Sequence, residues 1–491
     1  MPDRRLTRRS FLAGSASAAA IALARGLAGC ANSSTPGGGS ALPITRGPGS
    51  LPDPTRAAGV ADPALPFDHV VIVMMENHSF DNYFGMLPLR GQPLADGFRF
   101  DANGKPLNAN PLQGGVQRAF HLQGTCQPNH VTQSWNGTHQ QINGGAMDGF
   151  AATDSEAMGY WDESDLPFYY SLAKTFCIGN RCFASAPCQT YPNRRFLYAA
   201  TASGDIDTSN GSFLLPYPAT GTLMDAMSAN GVSWRSYFSD LPALGIIPGT
   251  IERHPANFSP FLQFLVDCAA GTLPSVSFVD PEFGVADVVG STLFGQLAST
   301  PGLPASIQSS IDRLRVQVDS QGGDEENPQD ISLGENFVAQ VVNAVLASPA
   351  WPRTLLIWTY DEHGGYYDHV PPVAVPKPDD IEPNIGPNDF QGGYDITGLR
   401  IPTVVVSPYS KPNAVTNVFH EHTSVIATIA AKWNLPALTN RDAVATTLLD
   451  FLDLASPPAF LMPPTLAAPS TPAILGGSCQ TQAPPPVIEP G

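Results

Sequence analysis

The chain has 491 residues, enough for one large α/β domain with insertions or for two domains. Charged residues make up only 14%, while Gly (45) and Pro (49) abound, which argues against a coiled coil or simple bundle and for long, ordered loops. A formal charge of −18 without any basic cluster excludes nucleic acid as the expected partner.

Residues 1–30 read as an export leader rather than as fold. Thr7-Arg8-Arg9-Ser10-Phe11-Leu12 has the twin-arginine pattern and runs into a small-residue apolar stretch, Leu12 to Ala24. Leu27-Ala28-Gly29-Cys30 resembles a lipobox, in which Cys30 becomes a lipidated N-terminus. The expected location is the periplasm, the outer membrane or cell surface as a lipoprotein, or the medium. The lipid would be the membrane attachment, since no later apolar run reaches the roughly 18 residues of a span. Residues 31–66, rich in Gly, Ser and Pro, read as a flexible tether. Residues 67–455 read as the folded domain and 456–491 as a Pro-rich tail. Cys126, Cys177, Cys182, Cys188, Cys268 and Cys479 follow the leader. An even number in an exported chain favours disulfides over catalytic thiols.

His69 to Met75 is an unbroken apolar run, the length of a strand buried on both faces. The same pattern recurs at Ser275–Val279, Thr354–Tyr360 and Ile401–Val406, with Val232–Phe238 as a further candidate. Helical patterns intervene. Phe337, Val338, Val341, Val342, Val345 and Leu346 fall on one stripe, and Ser424–Trp433 forms another helix after Thr423. This alternation predicts a mostly parallel sheet covered on both sides. Regions 96–165 and 281–330 read as insertions over the strand ends.

The apolar runs break into polar clusters at their carboxyl ends, where open α/β sheets bind ligands. The first is followed by Glu76 and Asn77, the run at 354–360 by Asp361 and Glu362. Two neighbouring strand ends of this kind supply four hard oxygen ligands to one divalent cation, and favour Ca, Mg or Mn over Zn. Thr190 stands before Pro192 at a predicted helix start, where free N–H groups and the dipole favour an anion. Beside a metal such a hydroxyl can lose its proton and attack phosphorus. His130, His139, His363 and His422 lie on loops or helix starts, in position to contact phosphate or to supply a general acid.

Taken together, HVVIVMMENHSFDNYFG (69–85), NGGAMDGF (143–150), QTYPNRRF (189–196), the DEHGG run (361–365), GLRIPTVVVSP (398–408) and EHTSVIATIAAKWNLPALTNRD (421–442) resemble a known family. It is the bacterial phosphoesterase family of non-haemolytic phospholipase C enzymes and respiratory-burst-inhibiting acid phosphatases, to which plant non-specific phospholipase C enzymes are related. The resemblance runs from Phe67 to Leu454. It implies an α/β fold like that of alkaline phosphatase: a three-layer sandwich with a central, mostly parallel sheet and loop insertions over the strand ends. It also implies metal ligands at Glu76, Asn77, Asp361 and Glu362, a nucleophile at Thr190 and a phosphate-contacting residue at His130. The expected activity is phospholipase C-like hydrolysis of a phosphodiester in a phospholipid. The alternatives are an acid phosphatase acting on small phosphomonoesters and a non-catalytic surface protein. In one place the chain departs from the family. Where many members carry a His before Pro, this chain has Asn327 before Pro328. Asn can hold a phosphate oxygen but cannot act as a general acid at neutral pH.

Overall fold

The computed structural model describes residues 46–127, 129–154, 156–283, 305, 307–309 and 323–472. Its centre is one eight-stranded sheet. The strands are β1 (His69–Met75), β2 (Cys177–Gly179), β3 (Trp234–Phe238), β4 (Phe258–Pro260), β5 (Val276–Asp280), β6 (Thr354–Tyr360), β7 (Thr403–Val406) and β8 (Ala414–Thr416). They lie in the order β4-β3-β5-β1-β6-β7-β2-β8. All neighbouring pairs are parallel except those that β7 makes with β6 and β2.

The helices that matter here are α1 (Phe80–Phe84), α2 (Trp135–Ile142), α3 (Pro167–Thr175), α4 (Thr190–Ala199), α5 (Phe261–Ala270), α6 (Ile331–Ala347) and α7 (Thr423–Trp433). Alternate side chains of the central strands feed two apolar layers, as strand periodicity requires. Val71, Val73 and Met75 of β1 pack with Leu356 and Trp358 of β6 and with α3, α5 and α6 on one face. Val70, Ile72 and Met74 pack with Leu355 and Ile357 and with α4 and α7 on the other. Both layers are continuous, and the polar residues of β1 and β6 are His69 and Thr354 at the strand starts and Thr359, whose hydroxyl pairs with that of Thr403 at 2.9 Å. The result is the expected α/β three-layer sandwich with a mostly parallel central sheet.

Three sequence expectations change. Residues 46–66, assigned by composition to a flexible tether, are held on the domain. Gly49 N–H donates to the Ala437 carbonyl and Ala437 N–H to the Ser50 carbonyl, while Lys432 Nζ donates to the carbonyls of Asp62 and Leu65. Composition reports a lack of regular structure, not a lack of partners. Cys177, Cys182, Cys188 and Cys268 are free, buried thiols, so the disulfide expectation fails for these four. They serve as small apolar side chains in the core. Among the described cysteines, Cys126 is disulfide-bonded. The third change is in the sheet, where β2, β4 and β8 went unpredicted because three residues carry no periodicity. The leader, Cys30, Cys479 and most of the 281–330 insertion lie outside the described residues.

Candidate active site

β1 and β6 pair in register to their last residues, with Met75 opposite Tyr360. Glu76-Asn77 and Asp361-Glu362 therefore leave the sheet side by side at its carboxyl edge. The turn after β1 is tight, with Asn77 in the left-handed region at φ 69°, which Asn tolerates better than most side-chain-bearing residues. Gly364, at φ 65°, packs on the same turn. A Cβ there would sit 1.8 Å from the Asn77 carbonyl oxygen, so only glycine fits.

Asp361 is the centre of the cluster and fully buried. Its Oδ1 accepts from the N–H groups of Asn77 (3.1 Å) and Glu362 (2.6 Å). Burial raises the Asp361 pKa, and the neighbouring hydroxyl of Thr190, the first residue of α4, is among the groups that lower it. One turn along that helix, Arg194 reaches under the strand ends. Its Nη2 lies 3.1 Å from Glu76 Oε1 and its Nε 3.6 Å from Asp361 Oδ2. The same Nη2 donates to the Met74 carbonyl at 3.1 Å. Burial alone would lower the guanidinium pKa, but Glu76 and Asp361 more than offset that and raise it. Burial and the charge of Asp361 push Glu76 and Glu362 well above the usual carboxylate range.

Asn77 Oδ1, Asp361 Oδ2 and Glu362 Oε1 are buried and accept no hydrogen bond. Buried acceptors left without a donor are costly, and clustered carboxylates more so. The oxygen set fits a hard divalent cation. Glu76 is turned toward Arg194 and, through a side-chain hydrogen bond, toward Glu326. With Asp324 and Glu326 it forms a second acidic group whose ligand atoms lie within 4.8 Å of one another. The sequence carried no periodic or motif signal for that neighbour.

The other expected site residues are placed unevenly. Asn327 is buried, its amide donating to the Tyr366 hydroxyl while its Oδ1 has no partner. His130 is exposed on the loop just before Val131 and Thr132, which pack against Gly365. His363 is buried rather than presented to a substrate. Its Nδ1 lies 3.0 Å from Glu362 Oε2 and its Nε2 2.9 Å from Gln141 Oε1, and burial lowers its pKa to about 3. His422 is likewise occupied, with Nδ1 3.0 Å from Ser185 Oγ and Nε2 3.0 Å from the Tyr360 carbonyl. Burial lowers its pKa to about 4. His139 stacks on Phe390, with Nδ1 2.7 Å from the Trp135 carbonyl. In this structure both ring nitrogens of His363 and of His422 face protein atoms, as does Nδ1 of His139. Sequence alone could not show that Gln141 of α2 would meet His363, or that Ser185 and the Tyr360 carbonyl would meet His422.

Residues 67–436 match the sequence profile of the Phosphoesterase family. The chain is 30% identical to non-specific phospholipase C1 of Arabidopsis thaliana over 425 residues, covering 80% of this chain and 72% of the plant protein. It is 29% identical to non-specific phospholipase C6 of the same plant over 430 residues (82% and 75%). To phospholipase C B of Mycobacterium tuberculosis it is 27% identical over 523 residues (92% and 87%). Among solved structures, a protein in the alkaline phosphatase superfamily from Vibrio parahaemolyticus aligns with TM-score 0.31 and 11% identity, covering 73% of this chain and 77% of its own.

Proposed function

The chain belongs to the Phosphoesterase family, and from that membership and the strand-end geometry we propose that it is a phospholipase C-like hydrolase. It cleaves the phosphodiester of a phospholipid, with Thr190 as nucleophile. One observation carries this reading: Thr190 stands next to Asp361, whose Oδ2 stays open, as do Asn77 Oδ1 and Glu362 Oε1. Asn77, Asp361 and Glu362, with Glu76 beside them, would hold a divalent cation. Such a cation polarises a phosphoryl oxygen and lowers the pKa of a nearby hydroxyl.

The protein's own groups supply the remaining steps. Asp361 takes the Thr190 proton as Oγ bonds to phosphorus. The bond from phosphorus to the leaving alcohol breaks, the departing oxygen takes up a proton from solvent, and His130 on the exposed loop contacts the phosphoryl group. The N–H groups at the start of α4 face the phosphoryl oxygens. Water then cleaves the phospho-threonine and releases the phosphorylated headgroup. The twin-arginine leader and Cys30 put this chemistry outside the cytoplasm in the same reading.

The test is hydrolysis of phosphatidylcholine vesicles and of p-nitrophenyl phosphate by the purified protein, each with and without EDTA. Chelator-sensitive release of phosphocholine, with phosphate trapped on Thr190 by rapid acid quench, is the expected result. Turnover of the monoester alone would reassign the chain to the phosphatases, and EDTA-resistant turnover would remove the metal from the scheme.

A further inference from the structure

We infer that Glu325 is a positioning residue whose buried carboxylate locks the Asp324–Asn327 segment onto both strand ends of the site. The inference rests on the reading that those strand ends hold a divalent cation. Glu325 is fully buried and receives three tyrosine hydroxyls: Tyr83 on Oε2 at 2.9 Å, Tyr360 on Oε2 and Tyr169 on Oε1. Each tyrosine ties down a different part of the site. Tyr360 is the last residue of β6, immediately before Asp361. Tyr83 lies on α1, in the segment that follows Glu76 and Asn77, and Tyr169 lies on α3.

The backbone completes the link. Glu76 N–H donates to the Asp324 carbonyl at 3.0 Å, and His78 Nε2 lies 3.1 Å from the Glu325 carbonyl oxygen. Glu325 itself sits at φ 81°, a left-handed conformation that side-chain-bearing residues rarely adopt. Such an outlier persists where surrounding contacts over-determine it, and clusters at functional sites. Room for the side chain comes from α6, where a Cβ on Gly334 would lie 2.2 Å from Glu325 Cγ. A residue serving only to fill the core would need neither the three donors nor the strained backbone. The lock sets Glu326 against Glu76 and puts Asn327, with its unpartnered Oδ1, beside them.

The test uses the full chain stripped with EDTA and titrated calorimetrically with Mn²⁺. Two variants attack the lock separately. Glu325→Leu removes the acceptor of three hydroxyls. Gly334→Ala improves helix propensity but intrudes on the Glu325 side chain. Both are expected to weaken Mn²⁺ binding by about ten- to a hundred-fold and to speed amide exchange at residues 324–330. Glu325→Gln should stay within about threefold of wild type, since it keeps an acceptor of the same size. Ile429→Ala, in the opposite layer, should lose stability with its Mn²⁺ affinity unchanged. Wild-type Mn²⁺ affinity in both Glu325→Leu and Gly334→Ala would overturn the inference while leaving the cation reading intact. If Glu325→Leu does not fold, Gly334→Ala decides. Absence of Mn²⁺ binding in the wild type would overturn the cation reading and this inference with it.

Discussion

At the scale of single residues the scheme turns on Thr190 and Arg194. Thr190→Ala removes one hydroxyl at the first residue of α4, a loss of at most roughly 0.5–1.5 kcal/mol, so the variant should fold. Its turnover of the best substrate is expected to fall by about three orders of magnitude or more, as when other covalent nucleophiles are removed. Thr190→Ser keeps the hydroxyl and should keep most of the rate. A near wild-type rate in Thr190→Ala would mean that water attacks phosphorus directly. Arg194 is different in kind: its charge compensates Glu76 and Asp361 in a buried setting. Arg194→Met strands those carboxylates and is expected to cost about 3–5 kcal/mol, measured by urea unfolding. Unchanged stability would show that the carboxylates are held neutral without it.

At the scale of elements, α7 does more than cover the sheet. Its C-cap, Asn434, is in the left-handed conformation at φ 50° and clamps the segment that enters the domain. The Asn434 side chain accepts from Asp53 N–H at 2.9 Å and donates to the carbonyls of Asp53 (2.9 Å) and Arg56 (2.5 Å). One side chain thus replaces the regular hydrogen bonding that the 46–66 segment lacks. Asn434→Ala leaves these buried backbone groups unpaired and should destabilise by about 1–3 kcal/mol. Limited proteolysis should then cut within residues 50–60 before the rest of the domain. A protease-resistant segment in that variant would show that Lys432 and the backbone bonds suffice.

At the scale of the whole molecule, a second ionic centre joins α1, the loop after β6 and β7. Arg400, fully buried, lies 3.0 Å from Asp81 and 2.8 Å from Asp368. His369 Nδ1 lies 2.7 Å from Asp81 Oδ2. These residues could be read as a metal group, but Arg400 already supplies the positive charge. Burial would lower the His369 pKa, yet Asp81 and Asp96 more than offset it and raise it to about 10 from its ordinary 6.5. The folded state therefore holds more protons than the unfolded state between those two values. The stabilisation is complete below pH 6.5 and is lost as pH rises toward 10. The melting temperature should fall across that range in the wild type and fall less in His369→Gln. Parallel curves for the two proteins would show that His369 does not carry the dependence.

Much of this protein was legible from the chain. The apolar runs at β1, β5, β6 and β7 announced the sheet because strands buried on both faces read as near-continuous hydrophobic runs. The polar pairs that end β1 and β6 announced the site, because a carboxylate pair at a strand end is costly without a cation or a buried base beside it. Thr190 at the start of α4 and the stripe of α6 were readable for the same local reasons. What lay beyond the sequence was what distant segments do to one another. Arg194 was given no role from the sequence, and packing places it beside Glu76 and Asp361. His363 and His422 looked available until Gln141, Ser185 and the Tyr360 carbonyl met their ring nitrogens. Glu325 carried no signal in the sequence, and only the fold brings three tyrosines from three elements around it. Periodicity and polarity are set by near neighbours along the chain and can be read there. Charge compensation, burial of polar groups and strained backbone depend on contacts across hundreds of residues, and only the tertiary structure decides them.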